Sequence, residues 1–401
     1  MRWRMFGLTW LAYAGLYLCR KNFSVLIPLL IVQVGLSRTE LANAVFLYSA
    51  AYCVGQFTMG GLADKFGARL TVSVGIFISA IATASMSLWP TAIGISLLQM
   101  VNGMAQASGW PGLVKLMSVW FPRGERGVIM GWWSTNYVLG GFVATLLTTS
   151  VVTSVYLLPE LGWRRGAIIP ALALLPIGFA FAIFVRNRGE STDESQPFSW
   201  ALVREVVRSP RIQVIAGIYS ILKLTRYSFL FWLPLYMTEQ LRYSAAEAGY
   251  TSAVFELAGF FGTLGAGYVS DKLMGSRRFP TAALMLAMLG GICMLHPILA
   301  AYSAAGNILG ISVIGMMIFG PDTLLGGAAA QDAAPPGAVA TAAGFINGTG
   351  SIGQMLSPWL VVWIAGQYGW NNLFYFFAAL ALTGSLVLTF SRQEAVEPVL
   401  A

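Results

Sequence analysis

Two arginines stand where a charge is costly. Arg20 and Arg226 each lie about fourteen or fifteen residues into an apolar stretch long enough to cross a bilayer. A charged side chain near the bilayer centre costs about 2.5–3.5 kcal/mol on insertion scales, so such a residue faces water, a ligand or a partner. The guanidinium suits an anion: it stays charged, is planar, and grips phosphate or carboxylate through two N–H groups at once. Tyr13 and Tyr17 precede Arg20 by seven and three residues and share its face of a helix. They are candidates to donate hydrogen bonds to a bound anion, and interior packing is the other use for them. Lys223 precedes Arg226 by three residues and shares its face, adding positive charge, and a role at a helix crossing is the other use for it. Lys21, next to Arg20, points about 100° away around the helix. Its candidate partner is Glu256, the acid deep in a later apolar run, which is otherwise a candidate proton carrier. Asp322 follows Gly320-Pro321, where interrupted backbone needs satisfying, and reads as structural. Lys115 sits close enough to a helix end to snorkel. Five basic groups against Glu256 and Asp322 describe an interior that favours an anion.

The elements that must hold these residues are membrane helices. The 401 residues are 57% hydrophobic and only 10% charged, with mean hydropathy +0.70. A soluble domain keeps about 25% charged residues, so lipid is the solvent for most of this chain. Twelve spans of about 20 or more residues are expected, at 6–34, 39–62, 68–89, 92–119, 125–149, 164–186, 211–238, 245–271, 279–299, 305–330, 337–365 and 370–391. The long polar stretch from Arg186 to Arg211 divides them. The expected organisation is an amino-terminal six-helix half, 1–187, a cytoplasmic linker, 188–210, with a short surface helix around Phe198 to Val207, and a carboxy-terminal six-helix half, 211–401.

Charge sets the orientation. Fifteen of the 24 Lys and Arg residues fall on the side of the amino terminus, four (Arg38, Arg164, Arg165 and Arg242) on the other, and five lie within the spans. The positive-inside rule then puts both termini in the cytoplasm. The net charge of +8 is read as this bias rather than as a nucleic-acid footprint.

Two motifs recur at nearly one offset. Asp64-Lys65-Phe66-Gly67 with Arg69 follows the second span, and Asp271-Lys272 with Gly275 and Arg277 follows the eighth, 207 residues on. Arg20, Phe23 and Pro28 repeat as Arg226, Phe229 and Pro234, 206 residues on. An internal repeat is how many secondary transporters are built. A two-fold axis relating the halves would set Arg20 and Arg226 on opposite sides of a central cavity.

Other chemistries are excluded. Cys19, Cys53 and Cys293 sit in apolar runs and imply no disulfide framework. With His296 the single histidine, no zinc site is expected, and no cofactor or metal is called for. Asn347-Gly-Thr-Gly350-Ser-Ile-Gly353 lacks the strand and the G-K-[ST] of a nucleotide loop, so ATP-driven transport is not expected. No nucleophile and base pair suggests an enzyme. The basic start, Met1-Arg-Trp-Arg-Met5, has no small-residue cleavage site after its apolar run and reads as a retained first helix.

The residues carry a resemblance. Both D-K loops are similar to the signature of the major facilitator superfamily. Tyr17-Leu-Cys-Arg20-Lys21-Asn22-Phe23 with Pro28 resembles the Y-L-x-R-K-N-F of its organophosphate:phosphate antiporter family. Gly109-Trp110-Pro111, Trp120-Phe121 and Glu125-Arg126-Gly127 resemble that family's G-W-P, W and E-R-G. Arg226-Tyr227 with Trp232 and Pro234, Phe255-Glu256 with Gly259, Gly320-Pro321, and Thr341 with Gly344-Phe345 extend the likeness over nearly the whole chain.

The resemblance implies an all-α membrane protein with the major facilitator fold, twelve helices in two pseudo-symmetric halves. It implies exchange of a phosphate ester, glycerol-3-phosphate or a sugar phosphate, for inorganic phosphate, by a monomer in a bacterial inner membrane. Arg20 and Arg226 would bind phosphate, Tyr17 and Tyr52 would match cavity tyrosines, and Lys21 with Glu256 would match a salt bridge linking the halves. Asp64, Lys65, Arg69, Asp271 and Lys272 would form gating loops. Four positions depart from glycerol-3-phosphate members: Asn136 stands for a histidine, Gln56 for a lysine, Lys223 for a tyrosine and Phe231 for an aspartate. Gln56, Asn136 and Lys223 are therefore candidates to shape the substrate, and a larger sugar phosphate competes with glycerol-3-phosphate. A membrane sensor of sugar phosphate and a proton-coupled organic-anion symporter are the alternatives.

Overall fold

The computed structural model describes residues 1–121, 129–130, 132–186, 200–335 and 338–391. Arg123, Glu125, Arg126 and Gly127, the opening of the fifth expected span, residue 187, linker residues 188–199 and Arg392 lie outside the described residues, as does the side chain of Asp64. Among the described residues the structure is helical, with no strand.

The first expected span is not one helix. α1 (Arg2–Leu16) gives way to a 3-10 turn at Tyr17–Cys19, and α2 (Asn22–Val34) starts afresh after Arg20 and Lys21. The carbonyl of Tyr17 accepts both the Arg20 N–H at 3.1 Å and the Lys21 N–H at 2.8 Å. This tight turn removes the Cys19 carbonyl from the helical ladder. The Asn102 side chain donates to that carbonyl at 2.7 Å, and a buried polar group so satisfied is tolerated. No Gly or Pro marks the break. The arginine expected mid-helix therefore sits on a corner.

The remaining elements follow in order: α3 (Arg38–Phe66), α4 (Ala68–Ser85), α5 (Ala92–Gln106), α6 (Gly109–Trp120), α7 (Thr135–Thr153), α8 (Arg165–Phe184), α9 (Trp200–Arg208), α10 (Pro210–Gln240), α11 (Ala245–Tyr268), α12 (Arg278–Tyr302), α13 (Ala304–Thr323), α14 (Ala329–Ala333), α15 (Val339–Tyr368) and α16 (Trp370–Phe390). The fourth expected span is divided at Ala107 and Ser108. The tenth is divided by a π-turn at Leu324–Ala328, just after Pro321, whose missing N–H interrupts the ladder.

The repeat is visible in how its helices start. At α3, Ser37 accepts the Glu40 N–H at 3.2 Å while Glu40 accepts the Ser37 N–H at 2.8 Å. At α11, Ser244 and Glu247 make the same reciprocal pair at the same two distances. These capping boxes stand 207 residues apart, the offset of the two loop aspartates. The loops after both helices turn on a glycine in left-handed conformation, Gly67 at φ +85° and Gly275 at φ +58°.

Nine helical stretches among the described residues are long and apolar enough to cross a membrane. Three expected spans fall outside that set. α5 and α6 are each short, α3 carries Tyr48, Ser49, Tyr52, Gln56 and Thr58, and α15 carries Asn347, Thr349, Ser351 and Gln354. A span lined with polar groups is less apolar on average. Ile81, Ile183, Ile298 and Phe390 are all more than half exposed, as side chains bathed in lipid would be.

By their internal contacts the residues fall into two compact units, one of Met1–Glu194 with Leu230–Glu256, the other of Ser195–Phe229 with Leu257–Ala401. Helices α10 and α11 thus each contribute to both. In the first unit α3 packs on α5, α4 on α5 and α8, and α1 on α6, α7 and α8. A Cβ on Gly103 would lie 2.2 Å from the Tyr48 carbonyl oxygen and one on Gly140 would lie 2.7 Å from that of Ala14. Glycine there lets helix backbones touch. In the second unit α12 packs on α13 and α16, and α9 on α15.

Candidate functional site

In the first unit, the corner between α1 and α2 delivers Arg20 into a polar pocket built by α3 and α5. Its side chain is 3% exposed. Nε donates to Gln106 Oε1 at 2.8 Å and Nη1 to the Tyr17 hydroxyl at 3.3 Å. The guanidinium carbon lies 4.7 Å from the Tyr17 ring centre, 4.8 Å from Tyr52 and 5.9 Å from Tyr48. Ring faces attract a cation, so three tyrosines share the charge. Among the described residues, buried Nη2 has no hydrogen-bond partner and no carboxylate pairs with this arginine. What remains is a fixed positive charge with a spare donor.

Gln106 is itself fixed. Its oxygen also accepts the Tyr48 hydroxyl at 3.0 Å, and its amide donates to Ser79 at 3.1 Å and Asn102 Oδ1 at 3.0 Å. Ser79 donates to the same Asn102 oxygen at 2.6 Å. The network that closes the helix break thus also orients Arg20. Tyr13 is differently employed: its ring packs against Tyr17, Trp110 and Trp133 with centres 5.5–6.0 Å apart. Gln56 donates to the Ala107 carbonyl at 3.5 Å. Asn136, fully buried in α7, has neither amide atom hydrogen-bonded among the described residues.

Lys21 faces away from Arg20. Its Nζ lies 2.7 Å from Glu256 Oε1 and donates to the Leu230 carbonyl at 2.5 Å. Lys21 is 0% and Glu256 1% exposed. Glycine at position 141 leaves room for the glutamate, since a Cβ there would come within 3.1 Å of its Cγ.

In the second unit Arg226 is buried on α10 and paired. Its Nη1 lies 2.9 Å from Asp322 Oδ2, and its guanidinium carbon 4.5 Å from the centre of the Phe319 ring and 5.8 Å from Tyr227. Phe319 fits because residue 259 is glycine: a Cβ there would lie 2.4 Å from the ring. Lys223, one turn earlier, donates to Asn347 Oδ1 at 2.5 Å and sits 5.3 Å from the Tyr219 ring centre.

The loop residues divide between exposure and pairing. Lys65 is exposed, and Arg69 donates to the Ala182 carbonyl at 2.6 Å. In the second unit Arg278 pairs with Asp271, bonds Ser270 at 2.9 Å and reaches Asp332 at 3.3 Å, while Lys272 is exposed.

Sequence reasoning did not anticipate Tyr48, Asn102, Gln106, Phe319 or the Arg226 pairing with Asp322. One signal was present: Asn102 and Gln106 lie four apart in an apolar run, the spacing that lines one helix face.

The family model described as Major Facilitator Superfamily matches residues 9–352. A glycerol-3-phosphate transporter of Bacillus subtilis is 28% identical over 427 residues, covering 100% of this chain and 94% of that protein. The membrane sensor protein UhpC of Salmonella typhimurium is 27% identical, covering 96% and 90%. The glucose-6-phosphate exchanger SLC37A2 of Bos taurus is 26% identical, covering 87% and 80%. Among solved structures, a bacterial homologue of the human lysosomal transporter Spinster superposes with TM-score 0.74 at 15% identity, covering 97% of this chain and 95% of the other. That likeness speaks for the fold. The chain is an integral membrane protein of the major facilitator superfamily, and these curated relatives are those of its organophosphate:phosphate antiporter branch.

Proposed function

We propose that this protein exchanges a phosphate ester, glycerol-3-phosphate or a sugar phosphate, for inorganic phosphate by alternating access. The observation that carries the reading is Arg20: among the described residues, a buried guanidinium with a spare Nη2 donor, set among tyrosines and an amide instead of a carboxylate. Such a group favours an oxyanion, and a phosphate oxygen would take the free donor. Arg226 is its counterpart in the repeat, and the two together are the phosphate-binding residues of this reading. Tyr13, Tyr17, Tyr52, Gln56, Asn136 and Lys223 are assigned to the ester side or to the walls around it. Asn136, whose amide has no partner among the described residues, suits a sugar hydroxyl.

The mechanism follows from charge. A bound phosphate neutralises like charges and lets residues 1–187 and 211–401 rock as bodies about residues 188–210. The empty carrier returns slowly, so exchange outpaces net flow. Lys21 with Glu256, and the loops at Asp64, Lys65, Arg69, Asp271 and Lys272, hold the alternate states. We assign the protein, as a monomer, to a bacterial inner membrane with both termini cytoplasmic, on the positive-inside count.

The test is uptake of labelled phosphate into proteoliposomes preloaded with phosphate, competed by a panel of esters. Saturable exchange is expected, reduced at least about a hundredfold in Arg20→Ala and Arg226→Ala, since losing a charged hydrogen-bond pair costs about 3 kcal/mol or more. Exchange in neither direction by well-folded protein would sink the antiporter. The resemblance to a named sensor makes ligand binding without transport the second reading, and retained phosphate binding in that outcome would favour it.

A further inference from the structure

The two buried arginines are not held alike. Arg20 keeps its place through Gln106 and a ring of tyrosines, without a carboxylate among the described residues. Arg226 has the Asp322 carboxylate on Nη1 at 2.9 Å. Arginine burial in this protein therefore does not in itself require an acid, and Asp322 needs its own explanation.

Three features separate it from a structural anchor. First, Asp322 is 5% exposed, yet its Oδ1 has no hydrogen-bond partner among the described residues. A buried carboxylate gains stability from bonds on both oxygens, because each unmade one is costly. Second, Arg226 is steadied independently by the Phe319 ring at 4.5 Å and Tyr227 at 5.8 Å, with Phe319 seated against Gly259. Neither ring contact depends on the carboxylate. Third, Asp322 stands between Pro321 and the π-turn at Leu324–Ala328, where the helical ladder is already interrupted. A missing proline N–H lies just before it and a π-turn just after it.

We propose that Asp322 is a resident counter-ion that competes with substrate. Resting on the phosphate-exchange reading, it occupies Arg226 while the carrier is empty, and an incoming phosphate displaces it by taking the same N–H donors. Only differential binding counts toward affinity, so the internal anion weakens phosphate binding and speeds its release. A structural anchor would do the reverse, and its loss would weaken phosphate binding.

The experiment is thermal unfolding of the purified full-length protein against a series of inorganic phosphate concentrations, with sodium chloride of equal ionic strength as reference. Wild type, Asp322→Asn, Asp322→Glu, and Asp322→Asn combined with Arg226→Ala are compared. Expected is phosphate-dependent stabilisation of wild type that in Asp322→Asn reaches half its extent at about fivefold lower phosphate or less, near wild-type behaviour in Asp322→Glu, and loss of the gain in the double variant. Equal or weaker phosphate binding by Asp322→Asn overturns the proposal. If Asp322→Asn does not survive extraction in chloride, phosphate present during extraction must recover it, because the ligand then supplies the missing negative charge. Failure to recover it, with wild type still stabilised by phosphate, overturns the proposal alone. A wild type indifferent to phosphate removes the exchange reading and this inference together.

Discussion

Lys21 and Glu256 are ionised groups taken out of water together, and their value lies in being taken out as a pair. The desolvation of either one alone costs several kcal/mol, and their attraction at 2.7 Å offsets it only while both are present. Lys21→Ala should therefore lower stability by about 3–5 kcal/mol, read as a fall in the thermal unfolding midpoint of detergent-solubilised protein. Replacing both, as Lys21→Met with Glu256→Leu, should recover most of that loss. If the double variant is as unstable as the single one, the pair is not the cause. At this scale a charge announces itself: a lone basic residue inside an apolar run is legible from one sequence, and so were Arg20, Lys21, Arg226 and Glu256. Gln106 and Asn102 were not, because an amide in a helix carries no charge to flag it. Asp322 was seen but not its partner, since the Arg226 contact joins α10 to α13 across 96 positions.

Helices in lipid were legible as elements because length and apolarity suffice to specify them. Their interruptions were legible only where chemistry forces one. Pro321 explains the break in the tenth span, whereas Tyr17-Leu18-Cys19 contains no residue that forbids a helix. The break in the first span is a tertiary effect: Asn102, on α5, takes the released Cys19 carbonyl. Asn102→Ala should strip that acceptor of its partner at a cost of about 1–3 kcal/mol. It should also raise hydrogen exchange of the amides at 17–24 more than elsewhere. Uniform exchange across the protein would mean the asparagine does not hold the corner. The two Ser/Glu capping boxes were available in the sequence as S-x-x-E at matched positions, a further mark of the repeat.

The whole molecule carries its duplication in three kinds of feature at almost one spacing: paired loop aspartates, paired span arginines and paired capping boxes. Orientation is a property of the molecule rather than of any helix. With Lys and Arg so unequally divided, reporter domains fused to either end should both register as cytoplasmic, and a periplasmic signal from either would refute the topology. The fold class and repeat could be read because membrane solvent leaves few architectures. The way the duplicated halves have diverged could not, because Arg20 among tyrosines and Arg226 on a carboxylate differ only in residues distant along the chain.

The corner at Arg20 and Lys21 also bears on how the protein is made. Each bears a charge that the bilayer resists, and each has a partner later in the chain. Gln106 is synthesised 86 residues after Arg20, and Glu256 follows Lys21 by 235. At roughly 5–20 residues per second the lysine waits about ten to fifty seconds for its glutamate. Until then the lysine's charge lacks the carboxylate that offsets it, so the final seating of this segment depends on residues made long after it.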